Sequence, residues 1–360
     1  MSDSSKINFD YVKRTLVFKF DAGTSRGVLK TKDVFWIKAF HAERPGLLGW
    51  GEAAPLVKLS LDDREDFEHV LREIVVGLSG RSFEKNEADV LRQLGELIPF
   101  ELPSIRFALE TAILDLINGG KKKILGSGFY NGEKAISING LIWMGHQDFM
   151  LEQINEKLAQ GFDCIKMKIG AIDFRQELDL LDYIRSKFSK DQVTLRVDAN
   201  GAFSTEDALG KLQHLAQYDL HSIEQPIAAG NWDTMKQLCA VTPLPIALDE
   251  ELIGVKGKAE LLDKIEPQHI ILKPTLLGGI LETKEWIELA EARSIGWWMT
   301  SALESTIGLN AIAQLADSLE TKIPQGLGTG KLYMNNLESP LEIDRGQIHY
   351  NQAIAWEEPA

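Results

Sequence analysis

Six polar residues, Lys166, Lys168, Asp198, Glu224, Asp249 and Lys273, recur at nearly even spacing through the C-terminal two-thirds of this chain. From Lys166 the successive separations are 32, 26, 25 and 24 residues. Three oxygen donors with no sulfur or imidazole in the set suit a hard divalent cation, Mg²⁺ first and Mn²⁺ as the alternative. Without an ion, converging carboxylates repel and raise one another's pKa values. Taken singly, each acid is equally well read as a helix cap or the partner of a surface lysine. In phase, the three favour a metal. Lys166 and Lys168 flank Met167 and so face the same side of a strand, shared with Cys164. Two interior ammonium groups are costly unless something stabilises them, although a solvated surface strand is the plainer reading of Lys-x-Lys. Like-charge proximity and a nearby cation would lower one lysine's pKa and supply a neutral amine as a base near pH 7. Lys273, directly before Pro274, would lie across the site from that pair. Such a set suits removal of a proton α to a carboxylate, with the metal balancing the charge that builds on the carboxylate oxygens.

Short apolar runs must position these residues. Residues 162–168, 193–198, 220–224, 244–249 and 269–273 each read as a β-strand ending on one of the six. A repeat of roughly 25–30 residues is one strand plus one helix, which predicts a parallel β/α array. In barrels of this kind the strand C-termini share the face that holds the active site. Residues 136–142 are the expected first strand, and helices are expected near 146–160, 173–188, 204–217, 231–240, 256–264 and 281–293. Residues 296–305 add a strand end, for about seven strands in all. No Gly-rich dinucleotide turn follows the first strand, so a barrel is preferred to a doubly wound sheet. Ahead of the array, residues 9–20 and 33–41 alternate as half-buried strands, and helices are expected at about 62–78, 87–97 and 104–120, the last capped by Ser104. Strands followed by helices make a small α+β domain. The connection at residues 21–28 is either a mobile lid or a plain hairpin.

At 360 residues the chain has room for about two domains. A hydrophobic fraction of 44% and a charged fraction of 26% are ordinary for a globular protein with a large core. The net charge of −14 opposes non-specific binding to nucleic acid or anionic membrane, so neither is expected as a partner; a small-molecule carboxylate is. Cys164 and Cys239 lie in different segments and form neither a disulfide framework nor a paired metal motif. The first residues lack a signal peptide's basic and apolar stretches, and no apolar run approaches the ~20 residues of a membrane span. A cytoplasmic location is expected.

In order along the chain, Lys-x-Lys, V-D-A-N, I-E-Q-P, L-D-E and I-L-K-P resemble the enolase superfamily, and its muconate-lactonizing subgroup in particular. Lysine base plus divalent metal is the general description of such sites. Residues 104–112, 138–142, 272–279 and 301–316 are similar to the o-succinylbenzoate synthases of menaquinone synthesis, and G-W-G-E-A-A-P is superfamily-like. The resemblance implies an α+β capping domain over residues 1–130, a modified TIM barrel, (β/α)7β, over 131–326, and a C-terminal segment, 327–360, returning to the cap. It implies Asp198, Glu224 and Asp249 as metal ligands. It also implies syn elimination of water from a succinyl-hydroxycyclohexadiene carboxylate. Lys168 would remove the α-proton and then deliver a proton to the departing hydroxide. Lys273 would stabilise the enediolate from the opposite face, partly as a cation over a π system. Lys166 would tune Lys168.

Ser301 and the backbone at Gly326 resemble contacts to the succinyl tail, or are ordinary loop structure. Asn200 and Arg196 complete the candidate substrate-binding set. Asn200 either orders the metal shell or is a plain turn residue, and Arg196 shares the inward face of Asp198 and would balance the carboxylates. Parity leaves Glu251 as a rival to Asp249 if its strand continues, with Glu250 between them. Trp297 and Trp298 read as core and outer packing. Opposed lysines are also what an N-succinylamino acid racemase requires. Dipeptide epimerisation is disfavoured because Q-G-L-G-T-G lacks the Asp-x-Asp of that family, and a non-catalytic binding protein would not need a base on each face.

Overall fold

A long antiparallel hairpin opens the chain in this computed structural model, which describes residues 6–24 and 27–359. Strands β1 (Lys6–Thr24) and β2 (Gly27–His41) pair from Ile7 and His41 up to Thr24 and Gly27, with one irregularity between Val17 and Ala22. β3 (Arg44–Ala53) pairs with β2 and β4 (Arg81–Ser82) with β1, giving a sheet in the order β3-β2-β1-β4. The 21–28 connection is therefore mostly continued ladder; Ser25 and Arg26 lie outside the described residues. Residues 34–37 of β2 are buried on both faces. Phe35 and Ile37 join the main core, while Val34 and Trp36 join a second cluster with Leu276, Ala302 and Leu303. One face of this sheet thus covers helices and the other covers the mouth of the second sheet.

Three helices pack on the first face: α1 (Phe67–Leu78), α2 (Glu87–Leu97) and α3 (Pro103–Ile117). α3 lies directly on β3, because a Cβ at Gly49 or Gly51 would meet the carbonyl oxygens of Ala112 or Ala108 at 2.1 and 1.9 Å. Ser104 does not cap this helix. Pro103 occupies the first turn, pre-set for helical φ, and Ser104 is buried, donating N–H and Oγ–H to Asp62 at 2.8 and 2.6 Å.

The parallel sheet runs β6 (Gly140–Ile142), β7 (Cys164–Lys168), β8 (Thr194–Asp198), β9 (Ser222–Glu224), β10 (Ile246–Leu248), β11 (His269–Leu272) and β12 (Gly296–Met299), each paired with the next. Helices α4 (Gln147–Ala159), α5 (Phe174–Lys187), α6 (Ala208–Leu215), α7 (Trp232–Val241), α8 (Lys258–Ile265), the short α9 (Pro274–Leu277), α10 (Ile280–Glu291) and α11 (Thr306–Ser318) separate or follow the strands. The expected first strand divides in two. β5 (Ile136–Ser137) pairs with the C-terminal hairpin of β13 (Leu341–Asp344) and β14 (Gln347–Tyr350), and only β6 enters the parallel sheet. The barrel closes through residues 325–326, which bridge Ile138 on one side and Thr300 on the other. The fold is a (β/α)7β barrel with an α+β cap. Residues 332–334 bond to β1 through Lys19 and Val17 before the chain reaches β13. Among the described residues, no helix is long and apolar enough to cross a membrane.

Candidate active site

The six residues converge because equivalent positions at the ends of parallel strands share one rim. Lys166 and Lys168 come from β7, Asp198 ends β8 and Glu224 ends β9. Asp249 and Lys273 each sit one residue past their strands. A cavity of about 310 Å³ opens above them. Its floor is Lys166, Lys168, Asp198, Asn200 and Lys273, and its walls include Leu56, Leu141, Trp143, Ser301, Leu303 and Gly326. The hairpin end, Gly27 to Leu29, and the Leu56–Lys58 turn border it from the cap. Glu224 and Asp249 lie beneath the floor, each 2% exposed.

Lys168 Nζ donates to Asn200 Oδ1 at 2.7 Å and Asp198 Oδ2 at 3.1 Å. Asn200 has a positive φ of 43°, and its own N–H donates to Asp198 Oδ1 at 2.9 Å, so the turn folds its side chain back toward the lysine. Its amide also donates to Glu250 at 3.0 Å. Asn200 is thus more than a turn residue, since it links β7, β8 and the turn after β10. Lys166 Nζ stands 2.9 Å from Asp198 Oδ2 and touches Glu224 without hydrogen-bond geometry; Lys273 donates to Asp249. Burial pulls the ammonium pKa values down, but the carboxylates outweigh it and hold Lys166 and Lys273 above the ordinary lysine value. At both positions the local field is set by the neighbouring carboxylates. Burial opposes ionisation of Asp198 and Asp249, yet their lysine partners keep both below the usual carboxylate range. Glu224 is pushed well above it, by burial and then by the charge of Asp198.

Among the described residues, no three acidic, histidine or cysteine side chains form a ready ion-binding group. Lys166 sits between Asp198 and Glu224, and Lys273 on Asp249, which spaces the acids. The donor set nonetheless fits a hard divalent cation: three carboxylates, with neither oxygen of Glu224 hydrogen-bonded. Glu251 is not the third acid. The strand ends at Leu248, a 3₁₀ turn breaks parity, and Glu251 instead accepts from Gly230 N–H at 2.7 Å and Gln225 Nε2 at 3.1 Å. Gln225 in turn accepts from Asp249 N–H at 3.1 Å and so positions that acid.

Ser301 and Gly326 both line the cavity, and Ser301 N–H donates to the Gly326 carbonyl at 3.0 Å. Ser301 Oγ donates to Glu304 and accepts from Thr329 Oγ1 at 2.7 Å. Arg196 is not brought to the cavity. Two residues down from Asp198 is one layer deeper in the barrel, where its guanidinium stacks on Trp298 at 4.2 Å and donates to the Pro324 carbonyl at 2.8 Å. Trp298 is buried there, while Trp297 is half-buried outside the barrel. Asn139, Leu141, Trp143 and Thr329 also line the cavity and were not singled out as site residues from the sequence, because Leu141 on β6 and the other three on the connections beside the barrel rim carry no charged group to mark them.

Comparison with known proteins adds three findings. Residues 150–354 match the enolase C-terminal domain-like family. The chain is 46% identical to the o-succinylbenzoate synthase of Desulfotalea psychrophila, covering 96% of this chain and 99% of that one. The crystal structure of MenC from D. psychrophila superposes with a TM-score of 0.85 at 42% identity, over 96% of this chain and all of that one. The dipeptide epimerase of Enterococcus faecalis, solved with Mg and L-Leu-L-Tyr, superposes with a TM-score of 0.83 at 21% identity, over 98% of each chain. That last likeness concerns the fold.

Proposed function

This chain belongs to the enolase C-terminal domain-like family, and from that membership we propose that it is a carbon–oxygen lyase that dehydrates a succinyl-hydroxycyclohexadiene carboxylate to o-succinylbenzoate, in menaquinone biosynthesis. The observation that carries this reading is the 46% identity to the D. psychrophila o-succinylbenzoate synthase over nearly the whole chain, joined to the meeting of Lys168 and Lys273 on one cavity floor with Asp198. Residues 1–130 serve as the cap, 131–326 as the barrel and 327–360 as the strap between them, and the enzyme works in the cytoplasm.

Asp198, Glu224 and Asp249 are the residues that would hold the divalent cation, Mg²⁺ or Mn²⁺, as the all-oxygen set suits. When bound, the ion supplies positive charge to the substrate carboxylate. Lys168, aimed by Asn200 and Asp198, takes the proton α to that carboxylate. The freed electron pair becomes the new ring double bond as the C–O bond breaks, and the Lys168 ammonium returns a proton to the departing hydroxide on the same face. Lys273 offsets charge from the other side, and Lys166 stays cationic against the carboxylate. Ser301 and the Gly326 backbone face the succinyl arm. Aromatisation drives the elimination, so the enzyme's work lies in the proton abstraction.

Purified protein supplied with Mg²⁺ and the cyclohexadiene should yield o-succinylbenzoate, and Lys168→Ala should lose at least about 10²-fold in kcat. Unaltered turnover in that variant would falsify the base assignment. Lysines on two faces also suit N-succinylamino acid racemisation. Solvent deuterium entering Cα of such a compound, with no dehydration of the cyclohexadiene, would favour the racemase instead.

A further inference from the structure

Leu303 lines the cavity with its backbone in the left-handed region, at a φ of 66°. A side chain of that bulk persists there only when its surroundings hold it. Three groups do so. Ser301 Oγ accepts from Leu303 N–H at 3.0 Å, the Lys32 ammonium donates to the Ala302 carbonyl at 2.6 Å, and the Tyr333 hydroxyl donates to the Leu303 carbonyl at 2.6 Å. Lys32 and Tyr333 are 4% and 3% exposed, and neither belongs to the barrel strands. Lys32 comes from β2 of the cap, and Tyr333 from the segment that bridges to Phe18 of β1.

Burying an ammonium is expensive, and apolar residues of similar volume often serve stability as well or better. Glu304 and Glu52, which face Lys32, supply opposing charge and are themselves engaged with the same segment. Glu304 accepts from Ser301 Oγ and Thr275 Oγ1, and Glu52 accepts from Ser305 N–H and Gly308 N–H at 2.7 and 2.8 Å. What the Lys32 ammonium does that a methionine could not is hold one carbonyl in the cavity wall.

We propose that Lys32 and Tyr333 are positioning residues: they clamp the carbonyls on either side of the strained Leu303 peptide, so that the cap sets the shape of the wall against which the substrate's flexible arm lies. The substrate half of this statement rests on the dehydratase reading above; the clamp itself does not. With the full-length protein and Mg²⁺, Lys32→Met and Tyr333→Phe should each raise KM about tenfold, while kcat stays within about threefold. Backbone amide exchange in residues 299–306 should quicken by about tenfold in the same variants. Glycine enters the left-handed region without cost, so in a Leu303→Gly background Lys32→Met should change KM less than about twofold.

Unchanged KM and unchanged exchange in both single variants would overturn the clamp, and so would an equal effect of Lys32→Met with and without Leu303. Should Lys32→Met fail to fold, Tyr333→Phe, which removes one oxygen, decides the matter. A wild-type protein that does not dehydrate the cyclohexadiene would sink the dehydratase reading, leaving the exchange comparison to judge the clamp.

Discussion

Replacing Glu110 by glutamine should stabilise the protein at neutral pH and leave its stability in acid nearly unchanged. Glu110 lies on α3 with no exposure, accepting from Ile280 N–H at the start of α10 at 2.5 Å, and its other oxygen has no hydrogen-bond partner among the described residues. Burial pushes its carboxyl from 4.5 up to about 8, outweighing the Ile280 N–H and the charge of Arg106. In the unfolded chain the group ionises near 4.5, while in the folded protein it stays protonated to about 8. Between those values the native state holds the extra proton, so stability falls as pH rises, by about 1.4 kcal/mol per pH unit. At pH 7 the loss amounts to roughly 3 kcal/mol. Glutamine keeps the acceptor for Ile280 and does not titrate. The melting temperature of Glu110→Gln relative to wild type should therefore match near pH 4.5 and rise to about 4 °C above it at pH 7, from an unfolding entropy of about 2.1 cal/mol/K per residue. Thermal melts across this range isolate the single group, since other buried carboxylates such as Glu52 and Asp115 are common to both proteins. A difference that stays flat between pH 5 and 8 would show that Glu110 is ionised in the fold and the reasoning from burial wrong.

The remaining expectations concern the site. Prolonged dialysis against a chelator should remove turnover, with added Mg²⁺ or Mn²⁺ restoring it; activity surviving in chelated, metal-free protein would contradict the ligand set. Asn200→Ala takes away one of the two Lys168 partners and should lower kcat about tenfold with little change in KM, because the lysine is less well aimed; an effect on KM alone would argue for direct substrate contact. Arg196→Met removes a buried cation with one hydrogen bond and two unpartnered nitrogens, so the melting temperature should hold or rise while kcat/KM stays within about threefold. A large loss of activity there would return Arg196 to the catalytic layer.

Much of the site was legible because convergence follows from parity. When residues at the ends of successive parallel strands carry charge, the barrel must bring them to one rim, and only their order and spacing are needed to see it. Lys168, Asp198 and Glu224 illustrate this, as each closes its own strand. Depth within the barrel was not legible. Arg196 has the inward parity of Asp198 yet lies one layer below it, stacked on Trp298. Glu251 had the right parity only for as long as the strand was assumed to continue, and the 3₁₀ turn after Asp249 ended it.

From the sequence alone came the strand–helix repeat, the identity of the six charged residues and the chemistry they can perform, because apolar periodicity and side-chain type are local properties. The tertiary structure decided what depends on distant partners. Residues 325–326 close the barrel with two isolated bridges, too short a stretch to leave a hydrophobic pattern. Residues 136–142 divide between two sheets because Ile136 finds the C-terminal hairpin while Gly140 finds β7. Lys32 belongs to no element or motif expected from the sequence; its burial against the Ala302 carbonyl, 270 residues away, exists only once the cap is seated on the barrel.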